Sequence, residues 1–371
     1  MSVTDPARAM MDEILEQPEL LRFLVEHREE LTAPFVELVQ KRRIKRVFFT
    51  GNGSPWYVGC ALMEAAGNLL GADASAVPSA YFNRHGSLRI PEVYAPEEVL
   101  LVCPAESGHS RGQVDAARAA RAAGAAVICT TLIPDGVLAR ECDVVLPKPG
   151  GHEVAMATTK GQTIALLELL MCFVEAGRAL GRIDEAEYAR FLSAFEDLPG
   201  NVAAAIDASA RWFERHRDAV MAAEQFFILG YGSGWGTAQE AALKFYECHQ
   251  VPTLALELEE GMHGPFRAVR KDDMVFFICA EEGQERDRAL LLADALAVYN
   301  DNRVCLRRAD DPHMGPLDIP VASSGMPYVS AIEYLIPFQM LSFLISEAKG
   351  IDLSIPLVPA LDPVMVPGYE D

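Results

Sequence analysis

Short apolar runs alternate with amphipathic stretches along the chain, and this alternation predicts strands and helices in turn. Buried strands are predicted at 46–51, 98–105, 125–131, 143–147, 224–230, 253–258, 273–280, 303–306 and 317–322. Helices are predicted at 56–70, 111–123, 153–180, 184–216, 235–249, 284–299 and 329–349. Alternation of this kind is typical of parallel sheets that helices cover on both faces.

The second half of the chain repeats the first. The segment GNGSPWYVG at 51–59 matches GYGSGWGTA at 230–238, with two glycines, a serine and a tryptophan in register. Further along, EVLLVCPAESG at 98–108 matches DMVFFICAEEG at 273–283, and CDVVLP then matches LDIPVA. Three matches in the same order and with nearly the same spacing indicate a tandem duplication of one doubly wound unit.

The repeat sets the expected domain organisation. We predict an α/β fold of two tandem doubly wound parallel-sheet, flavodoxin-like subdomains, with a helical N-terminus and an extended C-terminal tail. The predicted boundaries are 1–42 for the N-terminal helical segment, 43–182 for the first subdomain, 183–218 for a linking helix, 219–350 for the second subdomain and 351–371 for the tail.

Charge and hydropathy narrow the class of partner. The chain has 371 residues and a formal net charge of −21, a field that repels nucleic acid and anionic membranes. The apolar run over 164–174 is interrupted by Glu168 and is shorter than the roughly 20 residues that cross a bilayer. Acidic residues stand where a signal peptide needs a basic start. We therefore expect a cytoplasmic protein that binds neither nucleic acid nor membrane.

The cysteines and histidines do not indicate a metal site. None of the eight cysteines forms a C-x-x-C pair, and several lie in apolar strand-like runs, so buried reduced thiols are expected. The eight histidines are scattered singly. The sequence thus predicts neither a metal nor another cofactor.

Two loops of the first half have the character of anion-binding loops. Gly53 and Ser54 connect a strand directly to a helix, where free backbone N–H groups and the positive end of the helix dipole attract phosphate. Ser107 and Ser110 stand beside the start of the next helix. Each hydroxyl could instead cap its helix, and the sequence leaves that alternative open. Adjacent strand-end loops converge on one crevice in such sheets, which favours a bound oxyanion.

The first half has a third hydroxyl-rich segment, whereas the second half has an acidic loop. Thr158 and Lys160, within A-T-T-K, are expected early in the next long helix of the first half. The second half has A-E-E-G at 280–283 where the first has A-E-S-G, and its carboxylates would repel phosphate. We expect the first half to bind phosphate and the second to contribute a different function.

The second half has the residues suited to acid/base chemistry. Glu240, Lys244 and Glu247 are spaced at i, i+4 and i+7, so they share one face of a helix. His263 follows in E-x-G-M-H-G-P-F, where flanking glycines place the imidazole on a turn near a strand end. A solvated Glu–Lys–Glu ladder and a structural histidine are the alternatives that the spacing leaves open.

At these residues the chain resembles the double sugar-isomerase family, which includes the isomerase half of glucosamine-6-phosphate synthase and the fructosamine-6-phosphate deglycases. The resemblance covers nearly the whole chain from Arg43, and the N-terminal M-x-E-I-L-E-Q-P-E is similar to members that lack a glutaminase domain. It implies that Glu247 moves protons between sugar C1 and C2, and that His263 opens the ring or transfers protons at the sugar oxygens. It also implies a homodimer with the active site at the subunit interface, where His263 is supplied by the partner. The substrate- and phosphate-binding residues that it implies are Gly53, Ser54, Glu106, Ser107, Ser110, Thr158, Lys160, Glu240 and Lys244.

One departure from the family bears on the reaction. The synthase and its deaminase relatives carry a lysine in their last residues that forms an imine with the ketose, whereas no lysine follows Lys349 here. A substrate that already carries nitrogen at C1 does not need that nucleophile. The favoured hypothesis is therefore a deglycase acting on 6-phosphorylated Amadori compounds. An amino-sugar 6-phosphate deaminase or isomerase, and a non-catalytic sugar-phosphate sensor, are the alternatives.

Overall fold

The computed structural model describes residues 8–86, 90–355, 360, 368 and 369. Its strands are β1 (Arg46–Gly51), β2 (Asp73–Pro78), β3 (Val99–Pro104), β4 (Ala126–Thr131), β5 (Val144–Pro147), β6 (Phe226–Gly230), β7 (Thr253–Glu257), β8 (Met274–Ile278), β9 (Arg303–Arg308) and β10 (Ile319–Val321). Its α-helices are α1 (Ala9–Glu26), α2 (Arg28–Lys41), α3 (Ser54–Leu70), α4 (Ser79–Tyr81), α5 (Ile90–Val93), α6 (Arg111–Ala122), α7 (Lys160–Ala179), α8 (Glu185–Ala222), α9 (Ser233–His249), α10 (Gln284–Leu296), α11 (Ser330–Glu333) and α12 (Ile336–Lys349). The first seven residues and most of the predicted tail over 351–371 lie outside the described residues.

The strands form two five-stranded parallel sheets. The first sheet has the order β2-β1-β3-β4-β5 and the second has the order β10-β9-β8-β6-β7. When the strands of each sheet are numbered 1 to 5 in chain order, both sheets have the order 2-1-3-4-5, which is the flavodoxin-like arrangement. The predicted fold class is confirmed, and the shared strand order extends the sequence repeat to the level of topology.

The described chain separates into two compact units, each built around one sheet. Of the described residues, the first-sheet unit has those within Leu20–His152 and Gly161–Ser193, together with 360, 368 and 369. The second-sheet unit has 8–19, Glu153–Lys160 and Ala194–Ile355. The segment Glu153–Lys160 thus packs with the second sheet, although it follows the last strand of the first.

The central strands of each sheet are buried at every position, and helices cover both faces of the sheet. In the second-sheet unit, Phe276 of β8 packs against Phe245 of α9 and Phe338 of α12, while Phe277 faces the opposite way, towards the helix α10. In the first-sheet unit, Phe49 of β1 meets Phe173 of α7 at a ring-centroid distance of 5.9 Å. Side chains alternate between faces along a strand, so a strand buried on both faces needs apolar residues throughout.

The most apolar segments are accounted for by this packing. Helix α7 is buried along most of its length, including the acidic residue Glu168. All eight cysteines have free thiols and seven of them are buried, and burial raises the pKa of the Cys60 thiol to about 12. No helix in the described ranges has both the length and the hydropathy that crossing a bilayer requires.

Each strand predicted from the hydrophobic pattern is present, but three details differ. The structure also contains β2, which lies at the edge of the first sheet. Its residues are at most half-buried, so its sequence has no apolar run that would predict a strand. The helix predicted from residue 153 begins at Lys160 instead. The helix predicted over 329–349 is divided into α11 and α12, because Pro337 has no N–H to donate to the carbonyl of Glu333.

Candidate active site

In each sheet the strand order reverses between the first and third strands, and loops at such a point form the usual ligand crevice of this fold. The loops after β1 and β3 flank this point in the first-sheet unit. The loops after β6 and β8 flank it in the second-sheet unit. These loops contain the G-x-G-S segments and the A-E-S-G and A-E-E-G segments of the sequence repeat.

The two G-x-G-S turns have the same backbone conformation. Gly53 and Gly232 precede their helices with φ values of 61° and 51°, in the region that favours glycine. A Cβ on Gly51 would come within 2.6 Å of the Pro55 side chain, and one on Gly230 would collide with the carbonyl of Gly234. Both glycines of the motif are therefore required by the sharp turn from strand to helix.

In the first-sheet unit the turn is accompanied by serine hydroxyls. Ser54 is the first residue of α3 and is buried. Ser110 is the N-cap of α6, yet its side chain makes no capping hydrogen bond, so capping does not account for this serine. The Ser107 hydroxyl accepts a 3.4 Å hydrogen bond from the backbone N–H of His109. The hydroxyls of Ser107 and Ser110 lie at the N-terminal end of a twelve-residue helix, where an anion is favoured.

Glu106, in the same loop, is held by a lysine that the sequence analysis did not single out. Its carboxylate forms an ion pair with Lys148, which directly follows β5, and a Cβ on Gly161 in α7 would collide with it. The carboxyl of Glu168 lies near this pair, and burial raises its pKa to about 8, with Lys148 opposing and Glu106 adding to the shift. The position of Lys148 at a strand end was the only sequence signal for it.

The equivalent carboxylate in the second-sheet unit has different partners. One oxygen of Glu281 accepts hydrogen bonds from the hydroxyls of Ser233 at 2.9 Å and Ser330 at 3.0 Å, and from the backbone N–H of Tyr328 at 3.3 Å. The Tyr231 hydroxyl donates to the backbone carbonyl of Glu281 at 2.9 Å. A carboxylate of the chain itself therefore occupies the start of α9, the position where an anion would bind.

Helix α9 carries the three charged residues predicted to share a face. The ammonium of Lys244 lies 3.3 Å from Glu240 and 2.5 Å from Glu247. Glu240 and Lys244 are buried, while the side chain of Glu247 is 36% exposed. A fully solvated ladder is thereby excluded, and Glu247 is the member of the trio that solvent or a ligand can reach.

The electrostatics of this trio keep the lysine charged. Burial by itself lowers the pKa of Lys244, but the neighbouring carboxylates of Glu240 and Glu247 outweigh it, so the pKa lies above its usual value. A lysine nucleophile must lose its proton to react. Lys244 therefore acts as a fixed positive charge that orients Glu247.

His263 lies in the same unit but on a separate element. It follows a short turn at Glu260–Met262 and is exposed, and Gly264 beside it has a φ of 140° with open space around its Cα. The turn is ordered by Glu257, whose carboxylate accepts from the backbone N–H groups of Glu259 and Glu260 at 2.9 Å each. Within the described ranges, no hydrogen bond or ion pair joins His263 to Glu247.

Thr158 lies in an irregular segment, and Lys160 is the first residue of the helix that follows it. The predicted helix start at residue 153 is wrong because one oxygen of Glu153 accepts from the Thr159 N–H, the Thr159 hydroxyl and the Lys160 N–H at 2.7–3.0 Å. These bonds cap α7 from outside. Lys160 is the first residue of α7 and pairs with Glu16 at 2.6 Å, and Thr158 is half-buried.

Comparisons with known proteins agree with this architecture. A glutamine–fructose-6-phosphate aminotransferase (isomerizing) from Pyrobaculum aerophilum is 26% identical over 346 residues, which are 92% of this chain and 55% of that protein. The C-terminal domain of glucosamine-fructose-6-phosphate aminotransferase from Francisella tularensis has a similar structure, with a TM-score of 0.83 at 18% identity over 94% of this chain and 98% of that one. The resemblance to the double sugar-isomerase family is confirmed.

The matches cover most of this chain but only part of the curated relatives. A glucosamine-6-phosphate deaminase from Thermotoga maritima has the same fold, with a TM-score of 0.72 at 22% identity over 94% of this chain and 97% of that one. The chain spans about half the length of the curated relatives it matches, with 43–57% of their residues covered. No family model matches the sequence. The chain is thus similar to proteins of sugar-phosphate isomerase type.

Proposed function

We propose that the protein is a deglycase for 6-phosphorylated Amadori compounds, which are 1-amino-1-deoxyfructose 6-phosphate derivatives. The observation that carries the proposal is the trio on α9, in which buried Lys244 is held between Glu240 and Glu247 and only Glu247 is accessible. A single accessible carboxylate with a fixed cation behind it is suited to moving a proton between adjacent carbons.

The proposed reaction uses Glu247 as both base and acid. The carboxylate removes a proton from C1 of the substrate while the C2 oxygen takes up a proton from His263, giving an enaminol. The carboxyl then returns its proton to C2, giving a protonated imine between C1 and the amine nitrogen, and the extra proton is released when that imine is hydrolysed. Water then adds to the imine and the C–N bond breaks. The products are glucose 6-phosphate and the free amine, and one water molecule is consumed.

The ion pairs of three lysines in the two units favour a substrate that brings its own nitrogen. Lys244, Lys148 and Lys160 are each engaged with a carboxylate, from Glu247, Glu106 and Glu16 respectively. An ammonium held in this way is a poor nucleophile for a sugar carbonyl. An Amadori nitrogen already supplies the group that such an imine would provide.

The remaining residues have proposed roles in binding. The turn at Gly53 and Ser54 and the hydroxyls of Ser107 and Ser110 bind the phosphate, supported by the starts of α3 and α6. Thr158 contacts the sugar. His263, exposed and on a glycine-flanked turn, transfers protons at the sugar oxygens, and we propose that it does so from the partner copy of a homodimer.

The test is release of glucose 6-phosphate from a panel of 6-phosphofructosyl amino acids, followed with a coupled dehydrogenase. Unphosphorylated fructosyl amino acids serve as matched controls for the role of the phosphate. Product from the phosphorylated members supports the proposal. Absence of glucose 6-phosphate from the whole panel would contradict it.

The second candidate is an amino-sugar 6-phosphate deaminase or isomerase. The sequence relatives favour it, because they are named as isomerising aminotransferases of fructose 6-phosphate. Ammonia release from glucosamine 6-phosphate, with no product from the Amadori panel, would establish this candidate in place of the first.

A further inference from the structure

The N-terminal motif E-I-L-E-Q at 13–17 has no part in the proposed chemistry, yet it makes specific contacts with the segment Glu153–Lys160. Both lie in the second-sheet unit. That segment is irregular up to Thr159 and becomes helical at Lys160, and it contains two proposed substrate-contacting residues, Thr158 and Lys160. An irregular segment needs partners for its backbone groups, and α1 provides the acceptor for two of them.

Two carboxylates of α1 hold opposite ends of the segment. The Glu13 carboxylate accepts hydrogen bonds from the backbone N–H of Val154 and, at 3.3 Å, from that of Ala155. One turn later, Glu16 pairs with the Lys160 ammonium at 2.6 Å. The spacing of three residues places both carboxylates on one face of α1.

A third contact reaches the middle of the segment through another helix. The Gln17 side-chain amide donates to the side-chain oxygen of Gln339 in α12 at 2.7 Å, and the Gln339 amide donates to the backbone carbonyl of Thr159 at 3.1 Å. Both glutamines are fully buried. Because both amides are buried, moving either side chain would break a hydrogen bond that water is not positioned to replace.

The same helix also contacts the end of α9. The sulfur of Met10 lies 3.8 Å from the Cys248 sulfur, one residue beyond Glu247. Burial raises the pKa of Glu13 to about 7, with neighbouring Glu153 adding to the rise and the backbone N–H groups opposing it. Burying a carboxyl at this cost is not needed for a surface helix to pack, and such costs concentrate where a specific geometry is required.

We propose that Glu13, Glu16 and Gln17 form a positioning clamp, which fixes the segment Glu153–Lys160 so that Thr158 and Lys160 can bind a sugar phosphate. The part of this inference that concerns the ligand rests on the proposed function. The clamp itself is a statement about α1 and the segment, and it can be tested without turnover.

The experiment compares Glu13→Ala with Glu13→Gln, and uses Glu26→Gln as the control. Glutamine keeps an oxygen that can accept from Val154 and Ala155, whereas alanine removes it. Glu26 is an exposed glutamate on the same helix. Two quantities are measured on the full chain: hydrogen exchange of the Val154 and Ala155 amides, and the Kd for glucose 6-phosphate by calorimetry.

At pH 8, above the raised pKa of Glu13 so that its carboxylate is charged, we expect Glu13→Ala to speed exchange at both amides by about tenfold or more. The same substitution should raise the Kd for glucose 6-phosphate by about tenfold, the usual scale for loss of a hydrogen bond to a charged group. Glu13→Gln should restore most of both effects, and Glu26→Gln should match the wild type. Thermal unfolding of each variant identifies any general loss of structure, in which case exchange would rise across the whole unit and not at these amides alone.

The clamp is contradicted if Glu13→Ala leaves exchange at Val154 and Ala155 unchanged, or if exchange rises uniformly. Faster local exchange with an unchanged Kd would refute the role in sugar-phosphate binding. Failure of the deglycase assay is a separate result, because neither exchange nor the Kd depends on turnover.

Discussion

Both units turn from the first strand of the sheet into a helix through G-x-G-S, but the space in front of that helix differs between them. In the second-sheet unit, Glu281 occupies it and accepts from Ser233. In the first-sheet unit, the equivalent Glu106 is paired with Lys148. The position that matches Lys148 in the sequence repeat is Ser323, whose hydroxyl donates to Glu333 and not to Glu281. The two equivalent carboxylates therefore differ in their partners, which are Lys148 for Glu106 and the Ser233 and Ser330 hydroxyls for Glu281.

The helices that follow these turns, α3 and α9, differ in their charged residues. Both α3 and α9 are seventeen residues long and start from the same turn. The positions of Glu240, Lys244 and Glu247 in α9 correspond to Ala61, Ala65 and Asn68 in α3. The unit with an occupied anion site thus has the charged trio, and the unit without that trio has the serine-lined loops. The duplicated unit has diverged into a proposed binding half and a proposed catalytic half.

The largest expected effect is that of Glu247→Gln. Removing the proposed acid/base carboxylate should lower kcat on a phosphorylated Amadori substrate by about 1,000-fold, within the usual range for such a group. The Kd for glucose 6-phosphate should change by less than about threefold, because phosphate binding is assigned to the first-sheet unit. Steady-state kinetics and calorimetry give the two numbers. A loss of binding equal to the loss of kcat would break the comparison.

Lys148→Ser makes the first-sheet unit resemble the second. It should destabilise the protein by about 1–2 kcal/mol, because the partly buried carboxylate of Glu106 loses its charged hydrogen-bond partner. It should also weaken glucose 6-phosphate binding, because the freed Glu106 competes with the phosphate. Adding Glu106→Gln should recover part of both losses, as measured by urea unfolding and calorimetry. No recovery in the double variant would show that Glu106 is not the competing anion.

Glu281→Ala tests the other side of the comparison. It removes the carboxylate that accepts from the Ser233 and Ser330 hydroxyls and from the Tyr328 N–H, which should cost about 2 kcal/mol of unfolding free energy. Glu282→Gln, at the exposed neighbouring position, is the matched control and should be nearly neutral. Equal effects of the two substitutions would contradict the role of Glu281 as an internal anion.

Ser110→Ala is expected to act on binding and hardly on stability. Its hydroxyl makes no capping bond, so its removal should leave the unfolding free energy nearly unchanged. The Kd for glucose 6-phosphate should rise by about tenfold, as for loss of a hydrogen bond to a charged group. Ser233→Ala in the second-sheet unit should leave this Kd unchanged. The reversed pattern, with a higher Kd in Ser233→Ala and an unchanged Kd in Ser110→Ala, would mean that the phosphate binds in the second-sheet unit.

The smallest effect concerns the helix ends. His249 ends α9, while the last residue of α3 is Leu70. Burial, with a smaller contribution from Lys349, lowers the pKa of His249 from 6.5 to about 3. Between these values the unfolded chain binds a proton that the folded chain does not, so stability falls as the pH decreases from 6.5. At pH 5.5 the loss should be about 1 kcal/mol.

The variant His249→Leu makes this end of α9 match α3. Urea unfolding at pH 7 and pH 5.5 should show a smaller loss on acidification in the variant than in the wild type. An identical pH dependence in the two proteins would mean that His249 is not held neutral in the folded state.

The fold was accessible from the sequence because its signals are strong and repeated. Apolar runs located every strand except β2, whose edge position leaves it half-buried and without such a run. The start of α7 was placed too early because the capping bonds of Glu153 come from residues that the hydrophobic pattern treats as continuous helix.

The candidate site was accessible only in part. Helical spacing placed Glu240, Lys244 and Glu247 on one face, but not the burial that makes Glu247 the accessible member. The roles of Lys148 and Glu281 depend on contacts between residues far apart in the chain, and no local pattern specifies such contacts. The sequence could show that the A-E-E-G loop is acidic, but not that its carboxylate binds inward at the start of α9.

The number of glucose 6-phosphate molecules bound per chain tests the division between the units most directly. Calorimetric titration should give one per chain, because the second G-x-G-S loop already contains the carboxylate of Glu281. Binding should be weakened by Ser110→Ala and unaffected by Ser233→Ala. Two molecules per chain, or one whose affinity depends on Ser233 and not on Ser110, would contradict the account.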